Sequence, residues 1–110
     1  MGRERSANPI FKGDVDYQTL VGAEQSRDLS MSEVHFKDGA RNRWHMHSTD
    51  QMLVITDGEG IVADESEERS VTIGDVAFIP KNTRHWHGAK PGRDMTHLSI
   101  LAAGKTTIVD

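Results

Sequence analysis

The chain has 110 residues, 35% of them hydrophobic, 27% charged and 5% aromatic, with a net charge of -4 at pH 7. That length suits one domain with a thin core. No run approaches the ~18 apolar residues of a membrane helix, and the acidic balance argues against nucleic acid or an anionic membrane as partner. Six histidines against no cysteine exclude disulfides and thiolate metal sites, so any metal here must be held by imidazole nitrogen and oxygen.

Residues 1–8 are polar and predict a loose terminus. Arg3 and Arg5 bring positive charge but no apolar stretch follows, so no signal peptide is expected and the cytoplasm is the expected location. Residues 9–110 are expected to form a single domain. Turn signals punctuate them at Lys37-Asp38-Gly39, Asp57-Gly58-Glu59-Gly60, Ile73-Gly74-Asp75, Pro80-Lys81-Asn82 and Lys90-Pro91-Gly92-Arg93. The intervening runs predict strands over 29–36, 43–47, 51–56, 60–64, 69–73, 76–79, 85–87, 95–101 and 106–109. No window keeps apolar residues at helical spacing for three turns. Many short strands closely spaced read as an all-β sandwich or barrel. The acidic stretch Asp64-Glu65-Ser66-Glu67-Glu68 is expected to be an exposed hairpin tip.

Five of the histidines fall in His45-Met46-His47, His85-Trp86-His87 and His97. On a strand, residues i and i+2 share a face. Each pair therefore projects to one side, and in a closed barrel two pairs and His97 converge from three strands. Met46 and Trp86 then point outward. His35 has Val34 and Phe36 on the opposite face and is expected to turn away from the interior.

The glycines and proline around these pairs carry a resemblance. Gly39, five residues, His45-x-His47, three residues, Gln51, six residues and Gly58 fit the first motif of the cupin family in every spacing. Gly74, five residues, Pro80 and then His85 fit the second. Gln51 replaces the usual metal-binding glutamate, and Asn82 stands where glycine is preferred, a mild change because asparagine tolerates a left-handed turn. The resemblance implies a double-stranded β-helix, or jelly-roll barrel. Within the family the chain resembles small bacterial cupins that include manganese-dependent (R)-hydroxynitrile lyases, through His45/His47/Gln51, His85-Trp86-His87-Gly88-Ala89 and Met95-Thr96-His97-Leu98. That likeness implies His45, His47, Gln51 and His85 as metal ligands and His87 and His97 as catalytic residues beside them.

Three imidazoles and an amide oxygen suit manganese, iron, nickel, cobalt or zinc, and the resemblance implies manganese. A neutral ligand set leaves the ion a strong Lewis acid. His87, two positions from a ligand, is then a natural general base, and His97 can orient it or share its proton. The chemistry implied is proton removal from a small hydroxy or carbonyl compound and, for a hydroxynitrile lyase, C–C cleavage to aldehyde and cyanide. Ser32, Val34, Leu53, Phe78 and Leu101 are expected to wall a small apolar pocket of aryl-aldehyde size. Rival readings are an isomerase of sugars or keto acids, with Arg43 turned inward to hold an anion, an iron dioxygenase, and a ligand-binding module without catalysis. Outward apolar residues such as Ile10, Met46, Trp86 and Ile108 predict a homodimer or homotetramer, with burial of Trp86 beneath the second sheet of its own barrel the equal alternative.

Overall fold

A computed structural model describes residues 3–110. Among these residues every regular element is a strand: β1 (Glu4–Arg5), β2 (Phe11–Lys12), β3 (Val15–Val21), β4 (Leu29–Phe36), β5 (Arg41–Asn42), β6 (His45–His47), β7 (Gln51–Asp64), β8 (Glu68–Thr72), β9 (Val76–Ile79), β10 (His85–Ala89), β11 (Met95–Ala102) and β12 (Thr106–Ile108). All pairings are antiparallel, and the main path runs β1-β3-β4-β11-β7-β10-β5-β2. The sheet curls on itself into an all-β barrel, as the jelly-roll expectation requires. No helix among the described residues is long and apolar enough to cross a membrane.

The long strand β7 makes the curl. Gln51 to Gly58 pair with β11, and Gly60 to Asp64 pair with β10, so one strand passes from the first layer to the second. The expected turn at 57–60 is therefore a bend inside a continuous strand. Gly58 has φ 77, and a Cβ there would run into the backbone carbonyl of Asp94. Only glycine fits a left-handed residue so close to another backbone. Asn82 takes φ 63, the left-handed turn its side chain tolerates.

Strand β3 has no counterpart among the predicted strands, and of its seven residues only Val15 is buried, so no apolar-in, polar-out alternation marks it. The terminus also departs from expectation. Glu4 and Arg5 pair with Tyr17 and Asp16, and the Ser6 amide donates to Val15 O at 2.8 Å. Residues 1 and 2 of that expected loose segment lie outside the described residues.

The apolar core gathers Val15, Val34, Phe36, Ala40, Ile55, Val71, Ala89 and Met95, with Phe11 packed edge-on to Phe36 at 5.9 Å. The expected outward apolar surface is different from the one observed. Trp86 is buried, with the Arg41 guanidinium 3.6 Å from its ring centre. Ile10 and Ile108 sit on the rim of the inner cavity. Ile108 is also exposed, as expected, and further exposed apolar side chains include Met52, Val76 and Phe78 on neighbouring β7 and β9, with Met52 opposite Phe78.

Candidate metal centre

Strands β6 and β10 pair with His45 opposite His85, so the two histidine pairs meet across one ladder. Alternation turns all four rings to the inner face, where each is buried, and β11 brings in fully buried His97. Ring centres lie 4.2 Å apart for His45 and His85, 5.0 Å for His45 and His47, and 4.8 Å for His87 and His97. Nitrogens of His45, His85 and His87 fall within 4.8 Å of one another, a group able to hold a metal ion.

Hydrogen bonds decide which nitrogens are free. A carbonyl only accepts, so His45 Nδ1–H donates to Arg43 O at 2.7 Å and His85 Nδ1–H donates to Thr83 O at 2.8 Å. In the neutral ring the other nitrogen, Nε2, is then a bare lone pair. His47 Nδ1 bonds Thr106 Oγ1 at 2.8 Å, because β12 pairs Thr106 with His47, and His47 Nε2 is buried without a partner. Gln51 Nε2 donates to Ser99 Oγ at 2.9 Å, which turns Oε1 toward His85 Nε2 at 3.2 Å. Two buried acceptors face each other there beside an orphaned third. Such a cluster is costly unless a cation completes it. The residues fit a divalent metal.

Burial lowers the basicity of every ring in the group. It takes His45 down to about 3, helped by the charges that His85 and His47 would carry, and His47 down to about 4. His85 is lowered by burial, and His87 falls well below the usual histidine range through burial and then the neighbouring His97 and His85. His97 is lowered to about 4 by burial. All five are therefore neutral at pH 7, the form that binds a metal or accepts a proton.

His87 Nδ1 and His97 Nε2 are 3.0 Å apart, and both rings pack on Phe36. These two and the His45, His47 and Gln51 side chains open into a cavity of about 800 Å³, in the upper part of the ~300–1,000 Å³ range of ligand sites. Ser32, Val34 and Leu101 line it as expected. Leu53 does not, being fully buried in packed interior. Phe78 does not either, and is 61% exposed. The register pairs Gln51 with Ile79 and Leu53 with Ala77, so Ile79 and Ala77 turn inward and Phe78 turns out. The cavity is larger than a single-ring pocket because residues Arg5, Ser6, Ala7, Asn8, Ile10 and Phe11 extend its wall. That polar segment carried no periodicity that would reveal this.

Other side chains resolve as alternatives to the site. Asp50 faces outward, its carboxylate accepting the Lys81 amide at 2.9 Å, and is no ligand. Arg43 is paired with Asp110 at 2.7 Å away from the cavity, and Arg41 lies on Trp86, so neither is an inward anion holder. His35 bonds Thr96 Oγ1 at 2.7 Å and Asp94 at 3.3 Å, off the cavity. Asn42, which the histidine spacing gave no reason to single out, is buried in the cavity wall against His87.

A cupin-domain family model matches residues 32–101. The chain belongs to the cupin family. This cupin is 36% identical over 91 residues to the (R)-mandelonitrile lyase of Granulicella tundricola, spanning 82% of this chain and 70% of that protein. Among solved structures it is similar to a cupin-like protein from Thermotoga maritima, with a TM-score of 0.92 and 30% identity over 99% of this chain and 86% of the other. The polyketide cyclase RemF of Streptomyces resistomycificus shares the fold at a TM-score of 0.87 and 16% identity, over 99% and 80% of the two chains.

Proposed function

We propose that this cupin is a metal-dependent lyase that cleaves, or in reverse forms, a hydroxynitrile, with His45, His47, Gln51 and His85 as ligands and His87 and His97 as the catalytic pair. One observation carries the reading: the His45, His47 and His85 rings and Gln51 turn bare acceptors toward one another, and His45, His47 and Gln51 share a cavity with a separate histidine pair, His87 and His97, 3.0 Å apart. The mandelonitrile lyase relative supports the substrate class. A divalent ion, manganese preferred over iron, nickel, cobalt or zinc, would supply Lewis-acid polarisation of the substrate's oxygen.

The protein's own groups do the proton work. With Nδ1–H donated to His97 Nε2, His87 keeps Nε2 bare and takes the hydroxyl proton of the cyanohydrin. The bond to His97 then stabilises the charged ring. The C–C bond breaks, the carbonyl forms, and the proton held on His87 passes to the departing cyanide. Ser32, Val34 and Leu101 hold the organic group. No Asp or Glu lines the cavity among the described residues, so the two-histidine, one-carboxylate set of the common iron oxygenases is not available there. Arg43, the anion holder expected for the isomerase reading, is paired with Asp110 outside the cavity.

The test is benzaldehyde release from mandelonitrile by the manganese-loaded protein beside His87→Ala. Turnover that His87→Ala lowers by ~10²-fold or more is expected. Wild-type turnover no higher than the variant's contradicts the lyase. We also propose a cytoplasmic homo-oligomer, dimer or tetramer, joined through Met52, Val76 and Phe78, which are 42%, 61% and 61% exposed. Phe78→Lys should reduce the mass measured by light scattering, and an unchanged mass contradicts that surface.

A further inference from the structure

Asn42 is 3% exposed and lies on the two-residue strand β5, next to β10. Its Oδ1 accepts the backbone amide of His87 at 2.8 Å. That bond fixes the amide's orientation, because the reverse would set an NH₂ donor against an N–H donor. Nδ2 is thereby aimed at the His87 ring, 3.4 Å from Nδ1 and 3.5 Å from Nε2. Both separations are at the outer limit of a hydrogen bond, and they are nearly equal, so the amide nitrogen is shared between the two ring nitrogens and makes a strong bond to neither. His87 Nδ1 is already engaged by His97 at 3.0 Å. The two long contacts to the one ring engage at most one of the two Nδ2 hydrogens, and among the described residues Nδ2 has no other partner, so one N–H at the cavity wall is left for a ligand.

We infer that Asn42 is a specificity residue whose Nδ2 donates to an acceptor atom of the substrate. The substrate class is a 2-hydroxy compound bearing a nitrile, carbonyl or carboxylate on the carbon that carries the hydroxyl. The inference rests on the reading that the histidine cavity holds a metal and a small hydroxy compound, and deepens it. A buried amide donor left unpaired is costly, so a ligand that pairs it is favoured over one that cannot. The geometry also gives orientation: with the hydroxyl facing His87, the acceptor lies on the β5 side of the cavity. Ser32, Ser99 and Thr106 also line the cavity, but Thr106 is hydrogen-bonded to His47 and Ser99 to Gln51, and none of the three is hydrogen-bonded to His87.

The probes are methyl mandelate, which has a hydroxyl and a neutral carbonyl acceptor, and benzyl alcohol, which has the hydroxyl alone. Both are titrated calorimetrically into the manganese-loaded protein and its variants. Asn42→Asp keeps an acceptor for the His87 amide and removes the donor, while Asn42→Ala removes both. Wild type is expected to prefer methyl mandelate by about tenfold, and each variant to lose that preference while binding benzyl alcohol within about twofold of wild type. Equal weakening of both probes, an unchanged preference in the variants, or no preference in wild type overturns the inference. Turnover does not enter the readout. A protein that fails to cleave mandelonitrile yet shows the tenfold difference loses the lyase reading and keeps Asn42.

Discussion

Acidification of the metal-free protein is expected to unfold it far more readily than an ordinary small domain. His97 is fully buried and lowered to about 4, against 6.5 for an ordinary histidine. Between those values the unfolded chain binds more protons than the fold, so stability is full above 6.5 and declines as the pH falls toward 4. At pH 5 the ratio of the two binding terms is roughly 30, or about 2 kcal/mol for this one ring. His47, lowered to about 4, and His45, lowered to about 3, add similar amounts. Together the three remove up to about 6 kcal/mol, against the ~5–15 kcal/mol typical of a domain. Urea unfolding of chelator-treated protein at pH 7 and pH 5, followed through Trp44 and Trp86, measures the loss. His97→Leu should lose about 2 kcal/mol less than wild type between the two conditions. An equal midpoint at both pH values, or an identical loss in the variant, refutes the reasoning.

Three further outcomes follow from the same geometry. Gln51→Leu removes the oxygen that faces His85 Nε2 and should weaken manganese binding by at least about tenfold, read by competition with a chelator. Manganese should protect the fold, and that protection, read as the shift in melting temperature, should shrink between pH 7 and pH 5 as protons compete for the ligand rings. Gly58→Ala sets a Cβ into the Asp94 carbonyl at a left-handed residue and should cost about 2 kcal/mol or more in urea unfolding.

Much of the fold was legible because its signals are local. The bounds of β4 and β9 match the predicted ranges, since alternation and flanking turns define them. The two H-x-H pairs were legible for the same reason: a period of two forces each pair onto one face, and Gly39, Gly58, Gly74 and Pro80 fixed the motif around them. What failed was register and closure. Whether Phe78 faces in or out depends on which residue lies opposite Gln51, and that pairing is long-range. The 57–60 segment reads as a turn by composition, yet here its glycine serves a strand that changes layer. Trp86 is shielded by an arginine 45 positions earlier, so its burial is invisible locally. Asn42 is ordinary in sequence and becomes informative only once β5 sets it beside His87.

The ligand set is tested most directly by anomalous diffraction at the manganese edge from metal-loaded crystals. A single peak is expected at bonding distance, ~2.0–2.3 Å, from Nε2 of His45, His47 and His85 and from Gln51 Oε1, with the His87 ring unligated. A peak bonded to His87 in place of His47, among the three rings whose nitrogens lie within 4.8 Å, or no peak in the cavity, contradicts the centre and removes His87 as the base.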